Sequence, residues 1–187
     1  MSTRTLETEV FGQRVSFEYS ETWIGYAVLS LRFIMAYVFL AAGLEKILNP
    51  DWSAQNYLDP ATPFGVTEAN PLSGVFADLS ASAGMVDPLV YWGQILIGLA
   101  LLFGIFFRFA AFWGAVQMLL FWAAALQGGL LAGLPVAHGY VVDSSLVYAF
   151  LLFGLGAIGA GRILGLDAKL EETDVVRNNP TLKLLLG

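Results

Sequence analysis

The sequence predicts an all-α membrane protein: a four-transmembrane-helix bundle with cytoplasmic termini and a long outer loop after the first helix. Three observations carry this expectation. The chain of 187 residues is 57% hydrophobic and only 13% charged, where a soluble domain is about one quarter charged. Its mean hydropathy is +0.69. Four apolar stretches also approach the roughly 20 helical residues that a bilayer core of about 30 Å requires, and the basic residues fall on one side of them.

The stretches are Trp23–Leu44, with Arg32 as its one charge; Pro88–Phe107 and Phe109–Leu126, with none; and Val141–Gly161, with Asp143 at its start. Short cytoplasmic segments carry an excess of Lys and Arg. Arg4 and Arg14 precede the first stretch, Arg108 separates the second from the third, and Arg162, Lys169, Arg177 and Lys183 follow the fourth. In a four-span topology these share one face, and only Lys46 lies opposite. Both termini are therefore expected in the cytoplasm and the protein in the plasma membrane. The turn at Phe107–Arg108–Phe109 predicts that the second and third spans form an antiparallel hairpin.

The organisation expected is a polar segment 1–22, a membrane domain 23–163 and a cytoplasmic tail 164–187. The outer loop, 49–87, has five acids, no base, and four prolines. Within it, Leu72, Val75, Phe76 and Leu79 recur at helical spacing, as in a short amphipathic helix on the membrane face or in an ordinary packed segment. Alternation over Val15–Tyr19 predicts a small strand. Asp167–Val176 reads as a surface helix ending before Asn178–Asn179–Pro180. The first twenty residues are polar and acidic, unlike a signal peptide.

Composition narrows the chemistry. One histidine and no cysteine leave no donors for a disulfide, a zinc cluster, an iron–sulfur centre or a bis-histidine haem, so no metal site is expected. A net charge of −6 argues against a nucleic-acid partner, which requires clustered bases. Fifteen acids against three lysines are a composition that stays hydrated at very high salt, as in a halophile.

Polar residues inside the spans mark the candidate site. Nine residues into the first span, Arg32 is expected near mid-membrane, where an arginine costs roughly 2.5–3.5 kcal/mol on insertion scales. By a count of about 1.5 Å per residue, Gln117 lies at a similar depth on the third span, with its amide oxygen available to the guanidinium. Arg32 is read as binding an anionic or carbonyl-bearing ligand, or as a staple bonded to backbone carbonyls and glutamine. It shares a helical face with Ala36, Phe39, Gly43 and Lys46. Gln94, Leu101, Gly104 and Arg108 form a comparable stripe on the second span. At the outer mouth, Glu45, Lys46, Asp51, His138 and Asp143 are expected to gather. Asp143 is read as a helix cap, as a salt-bridge partner of Lys46 or as a proton-relay group. His138 is an interfacial loop residue or a proton-exchanging one. Glycines and alanines on all four spans predict close backbone packing.

The run Leu31-Arg32-Phe33-Ile34-Met35-Ala36-Tyr37-Val38-Phe39-Leu40-Ala41-Ala42-Gly43-Leu44-Glu45-Lys46 resembles the first helix of the DoxX/DoxD family. Gly93-Gln94-Ile95-Leu96-Ile97-Gly98-Leu99-Ala100-Leu101-Leu102-Phe103-Gly104 through Ala111 resembles its second helix and the turn beyond. The resemblance covers roughly residues 24–161. It implies a four-helix membrane subunit of a redox or respiratory complex, one branch being the membrane subunit of thiosulfate:quinone oxidoreductase. Many relatives carry glutamate where this chain has Gln94. On that reading quinone is the cofactor, bonded by Arg32 and Gln94 with Gln117 and Lys46 as further contacts. Asp143 and His138 exchange protons, and any enzymatic activity is that of an oxidoreductase with quinone as acceptor. The partners expected are the lipid bilayer, other membrane or periplasm-facing subunits, and further copies of the chain. The alternative is a non-catalytic accessory or assembly subunit.

Overall fold

The computed structural model describes residues 3–126 and 141–187. An antiparallel hairpin, β1 (Thr3–Val10) and β2 (Gln13–Ser20), leads into helix α1 (Glu21–Leu48). The short helices α2 (Gln55–Leu58) and α3 (Ser73–Ala81) follow, then α4 (Ala83–Phe103), α5 (Phe107–Ala124) and α6 (Ser144–Ile158). A 3₁₀ turn over Ala160–Arg162 and three short helices, α7 (Asp167–Leu170), α8 (Asp174–Arg177) and α9 (Pro180–Leu185), complete the chain.

The small strand expected at Val15–Tyr19 is one arm of a hairpin paired from Thr3↔Ser20 to Val10↔Gln13. Its two-residue turn, Phe11–Gly12, has φ of 51° and 77°, the double left-handed conformation that matches strand twist. Ser20 then accepts a hydrogen bond from Trp23 N and caps α1.

Helices α1, α4 and α5 are each long and apolar enough to cross a membrane. α6 has 15 residues. At 1.5 Å per residue that is about 22 Å, shorter than the roughly 30 Å core. The bundle is apolar on both sides: Tyr37, Leu96, Phe112, Phe150 and Phe153 are exposed, and small residues let the helices close on an apolar interior. α1 packs on α4, α5 on α6, and the pairs meet between α4 and α5. At Gly98 a Cβ would sit 2.9 Å from Leu40 N, and at Gly43 one would sit 2.9 Å from Tyr91 O. Only hydrogen at those positions lets the α1 and α4 backbones approach so closely. The core they enclose includes Met35, Phe39, Leu101, Phe107 and Leu152.

The end of the bundle carrying the hairpin and tail is termed the terminal end, and the opposite one the loop end. At the loop end α3 turns Phe76 into a second apolar cluster with Ala54, Leu58 and Val66, against Ala123 and Ala124 of α5. The expected amphipathic segment is thus a packed cap, although Val75 and Leu72 remain exposed. Asn70 locks it in place by donating from Nδ2 to Ala123 O at 2.9 Å and to Leu126 O. These carbonyls lie at the C-terminal end of α5, where the last helical acceptors are commonly satisfied by side chains.

Two boundaries differ from expectation. The turn between α4 and α5 lies three residues earlier, because Gly104 ends α4 at φ +61° and Phe107 already begins α5. Arg108 therefore belongs to α5 and not to the stripe of Gln94 and Leu101. The tail is not one surface helix over Asp167–Val176 but is broken at Thr173, whose extended backbone starts α8. Asp167 and Val176 are buried.

Candidate functional site: the terminal clasp and the cleft between two helices

The expected stripe on α1 is present: Arg32, Ala36, Phe39 and Gly43 are buried and Lys46 is half-buried. Arg32, only 1% exposed, is among the largest fully buried side chains. Its depth differs from expectation. A Cβ at Gly104, the end of α4, would lie 3.2 Å from Arg32 Nη1, so Arg32 is level with the terminal ends of α4 and α6. The reason is the length of α1: 28 residues make about 42 Å, and its first three turns run past the ends of the other helices.

Of the partners expected for Arg32 as a staple, it has the backbone carbonyls but not Gln117. Nη1 donates to Ala160 O at 2.9 Å and to Ile163 O, and Nη2 donates to Leu164 O at 3.5 Å. All three carbonyls belong to the junction that leaves α6, where Gly159 turns the chain at φ +73°. Nε remains without a partner. Gln117 does not bond the guanidinium; its Nε2 donates to Val90 O of α4 at 3.3 Å. Nor does the fold bring Arg32 and Gln94 together. Gln94 lies near the level of Gly43, eleven residues along α1 from Arg32, or about 16 Å of axial rise.

The clasp that includes Arg32 is completed by Asp167, which is fully buried. Its Oδ1 accepts from Phe106 N at 2.8 Å, and its Oδ2 accepts from Phe107 N and Gly187 N, both at 2.9 Å. Phe106, at φ +46°, is the N-cap residue of α5, and no side chain of its own segment caps it. Asp167 therefore caps that helix from sixty residues away. Its own N–H donates to Gly104 O at 2.8 Å. Burial pushes the Asp167 carboxyl above its usual range, against the opposing pull of three backbone donors. The nearby Arg32 guanidinium and Asp167 carboxylate attract each other. Gly161 is required here, since a Cβ would meet Asp167 Oδ2 and Phe107 Cβ at 2.5 Å.

The second feature is a cleft of about 810 Å³ between α4 and α5. Its walls are almost wholly apolar, with Val90, Ile97, Phe109 and Trp113 among them, and Gln117 contributes the polar side chain. Gln117 Oε1 is buried without a hydrogen-bond partner, and so is Oε1 of Gln94, a residue only 2% exposed. A Cβ at Gly93 would come 3.7 Å from Gln117 Nε2, which sets both glutamines at a similar level, near the middle of α4 and α5. Leaving a buried carbonyl oxygen unpaired costs about 1–3 kcal/mol. A ligand donor can recover that energy.

Asp143 accepts from Leu146 N at 2.9 Å and caps α6, the simplest of the roles expected for it; no ion pair with Lys46 forms. Lys46 instead donates to Ala42 O at 3.1 Å. Glu45 is exposed. His138 lies outside the described residues. Asp167 and Asn70 escaped the sequence reading. The partner of each is backbone far away in the chain, and only an N-cap or C-cap deficit at α5 would have pointed to them.

Long apolar helices with exposed aromatic and aliphatic side chains, closing around buried glycines, define an integral membrane protein of the helical-bundle class. A family model described as DoxX matches residues 27–127, just over half the chain, and the protein belongs to that family. No curated protein and no solved structure matches it.

Proposed function

We propose that this chain is a quinone-interacting subunit of a membrane redox complex, possessing a lipid-accessible quinone site between α4 and α5. The single observation that carries this is Gln117, the polar side chain lining an otherwise apolar cleft, whose buried Oε1 has no hydrogen-bond partner. A quinone has an apolar tail and polar ring oxygens, and the residues present suit it. The apolar walls accommodate the tail. The Gln117 amide has a second N–H to donate to a ring carbonyl and an oxygen to accept from a ring hydroxyl, so it serves both the oxidised and the reduced ring. When bound, the group supplies a two-electron, two-proton acceptor.

The chain's own residues bind and orient. The α4–α5 walls exclude water from the Gln117 amide, and the Val90 carbonyl fixes that amide by taking one of its protons. Arg32 holds the helices together at the terminal end and does not bond the ring. With no cysteine and a single histidine in the chain, electrons come on this reading from a partner subunit, and thiosulfate is a candidate donor to such an assembly.

The topology belongs to the same proposal: four crossings, both termini cytoplasmic, in the plasma membrane. The 3₁₀ turn adds about 6 Å to α6, bringing it near 28 Å, and the basic residues cluster at the terminal end. The second reading, a non-catalytic assembly subunit, is favoured by the consumption of both Arg32 terminal nitrogens by the chain's own carbonyls.

Solvent extraction of the protein purified in mild detergent, followed by mass spectrometry, tests the proposal. About one quinone per chain is expected, with loss in Gln117→Leu. Absence of quinone from wild type purified out of quinone-containing membranes refutes the site and leaves the assembly reading.

A further inference from the structure

A second pocket, separate from the α4–α5 cleft, opens at the loop end between the close of α1 and the start of α4. It encloses about 440 Å³ and is lined by Lys46, Asn49, Trp52, Asp87, Tyr91 and Trp92, among others. That volume lies within the roughly 300–1,000 Å³ of small-ligand sites. Its charges are unusual for this depth. Lys46 is half-buried, its ammonium stands 5.4 Å from the Trp52 ring centroid, and one of its three protons goes to Ala42 O. Two protons remain. Among the described residues no carboxylate comes within salt-bridge distance of it. Asp87 uses Oδ1 to accept from Ala54 N at 2.8 Å.

The pocket therefore offers a cation with two open donor positions and a carboxylate, set among aromatic rings. Trp52 and Tyr91 meet edge to face at 6.4 Å, and Tyr91 and Trp92 lie 6.2 Å apart. Tryptophan and tyrosine concentrate at headgroup level in a bilayer, which is also the level at which α1 ends. Trp92 is 53% exposed, and Leu96 and Leu99, on the same helical face one and two turns toward the terminal end, are exposed as well. An apolar track thus leads from the pocket down the lipid-facing side of α4.

We propose that this pocket binds the headgroup of a zwitterionic phospholipid, with the phosphate on Lys46, the ammonium toward Asp87 and the aromatic rings, and the acyl chains along Trp92, Leu96 and Leu99. A phosphate supplies the acceptor oxygens that the Lys46 ammonium lacks. An ammonium is attracted both by the carboxylate and by the ring faces. The track along α4 favours a lipid over a soluble anion, which would need none.

Native mass spectrometry of the detergent-purified full chain, titrated with phosphatidylethanolamine, phosphatidylglycerol or an uncharged glycosyl diacylglycerol of matched chains, tests this. Wild type is expected to bind phosphatidylethanolamine most tightly. Lys46→Gln should weaken it roughly tenfold or more, the loss of a charge-assisted contact, while Lys46→Arg retains most of the affinity. Asp87→Asn should narrow the difference between phosphatidylethanolamine and phosphatidylglycerol. Unchanged helix content and elution show that each variant is folded. Equal wild-type affinity for the glycolipid, or indifference to Lys46→Gln in a folded variant, overturns the proposal. So does displacement of the lipid by millimolar inorganic phosphate, which would assign the pocket to a soluble anion.

Discussion

Replacing Asp167 by alanine removes more than a surface charge would. The carboxylate is fully buried and accepts from three backbone N–H groups, two of them at the start of α5. Loss of an N-cap alone costs about 0.5–2 kcal/mol, and leaving buried donors without an acceptor costs about 1–3 kcal/mol each. These overlap, because the same donors are counted in both, so about 2–4 kcal/mol describes the whole substitution. Arg32 keeps its three carbonyls but loses the attraction of a nearby negative charge. Asp167→Asn should cost less, about 1–3 kcal/mol, since an amide still offers one acceptor oxygen while its NH₂ group faces backbone donors. Reversible unfolding in mixed micelles, followed by circular dichroism, measures the difference. Limited proteolysis of residues 164–187 reports whether the tail detaches. If Asp167→Ala unfolds within about 0.5 kcal/mol of wild type, the range of an ordinary surface change, the clasp contributes no stability and its assigned role is refuted.

Other expectations concern the same framework. Arg32→Met should destabilise by a few kcal/mol through the carbonyls it orphans, and Arg32→Lys should recover only part, because one ammonium cannot reproduce the planar fork; thermal unfolding of both variants checks this. Gly98→Val should separate α1 from α4, since Leu40 N and Cγ already lie 2.9 and 2.7 Å from a Cβ position, and is expected to cut the yield of folded protein on size-exclusion chromatography. Arg162 bonds Glu171 through two nitrogens, the shortest contact being 2.6 Å, and this hydrogen-bonded pairing holds the Glu171 carboxyl below its usual range. A lowered folded value means that the stabilisation is complete above the unfolded pKa near ~4.3 and disappears as pH falls through the lower folded value. Glu171→Gln should therefore flatten the acid limb of the stability profile by under about 1 kcal/mol, as for an exposed pair.

The sequence made some features legible and hid others for physical reasons. The helical period alone placed Arg32, Ala36, Phe39 and Gly43 on one face, and all are buried, because a 3.6-residue repeat depends on nothing outside the helix. Close packing at glycines was likewise legible, although that Gly43 and Gly98 bring α1 against α4 is visible only in the structure. The α4–α5 turn lies three residues before Phe107–Arg108–Phe109, and the sequence does not show it because the capping group, Asp167, belongs to a distant segment. Arg32 bonds backbone carbonyls, as its reading as a staple expects, but which carbonyls is not legible, because backbone acceptors have no sequence signature. Arg32 is shallower than its distance from Trp23 implies, because α1 overhangs its neighbours. The pairing of Thr3–Val10 with Gln13–Ser20 rests on a two-residue turn at Phe11–Gly12, where phenylalanine adopts a left-handed backbone that its residue type does not advertise.

The claim that most of the functional account rests on is that a quinone occupies the α4–α5 cleft with its ring at Gln117. Photolabelling of the purified protein with an azido-quinone, followed by peptide mapping, tests it directly. Labels are expected on segments containing Val90–Ile97 and Trp113–Gln117, suppressed by excess unmodified quinone and weakened in Gln117→Leu. Labelling confined to the Arg32 region, or distributed over the lipid-facing helices and insensitive to competitor, would contradict it.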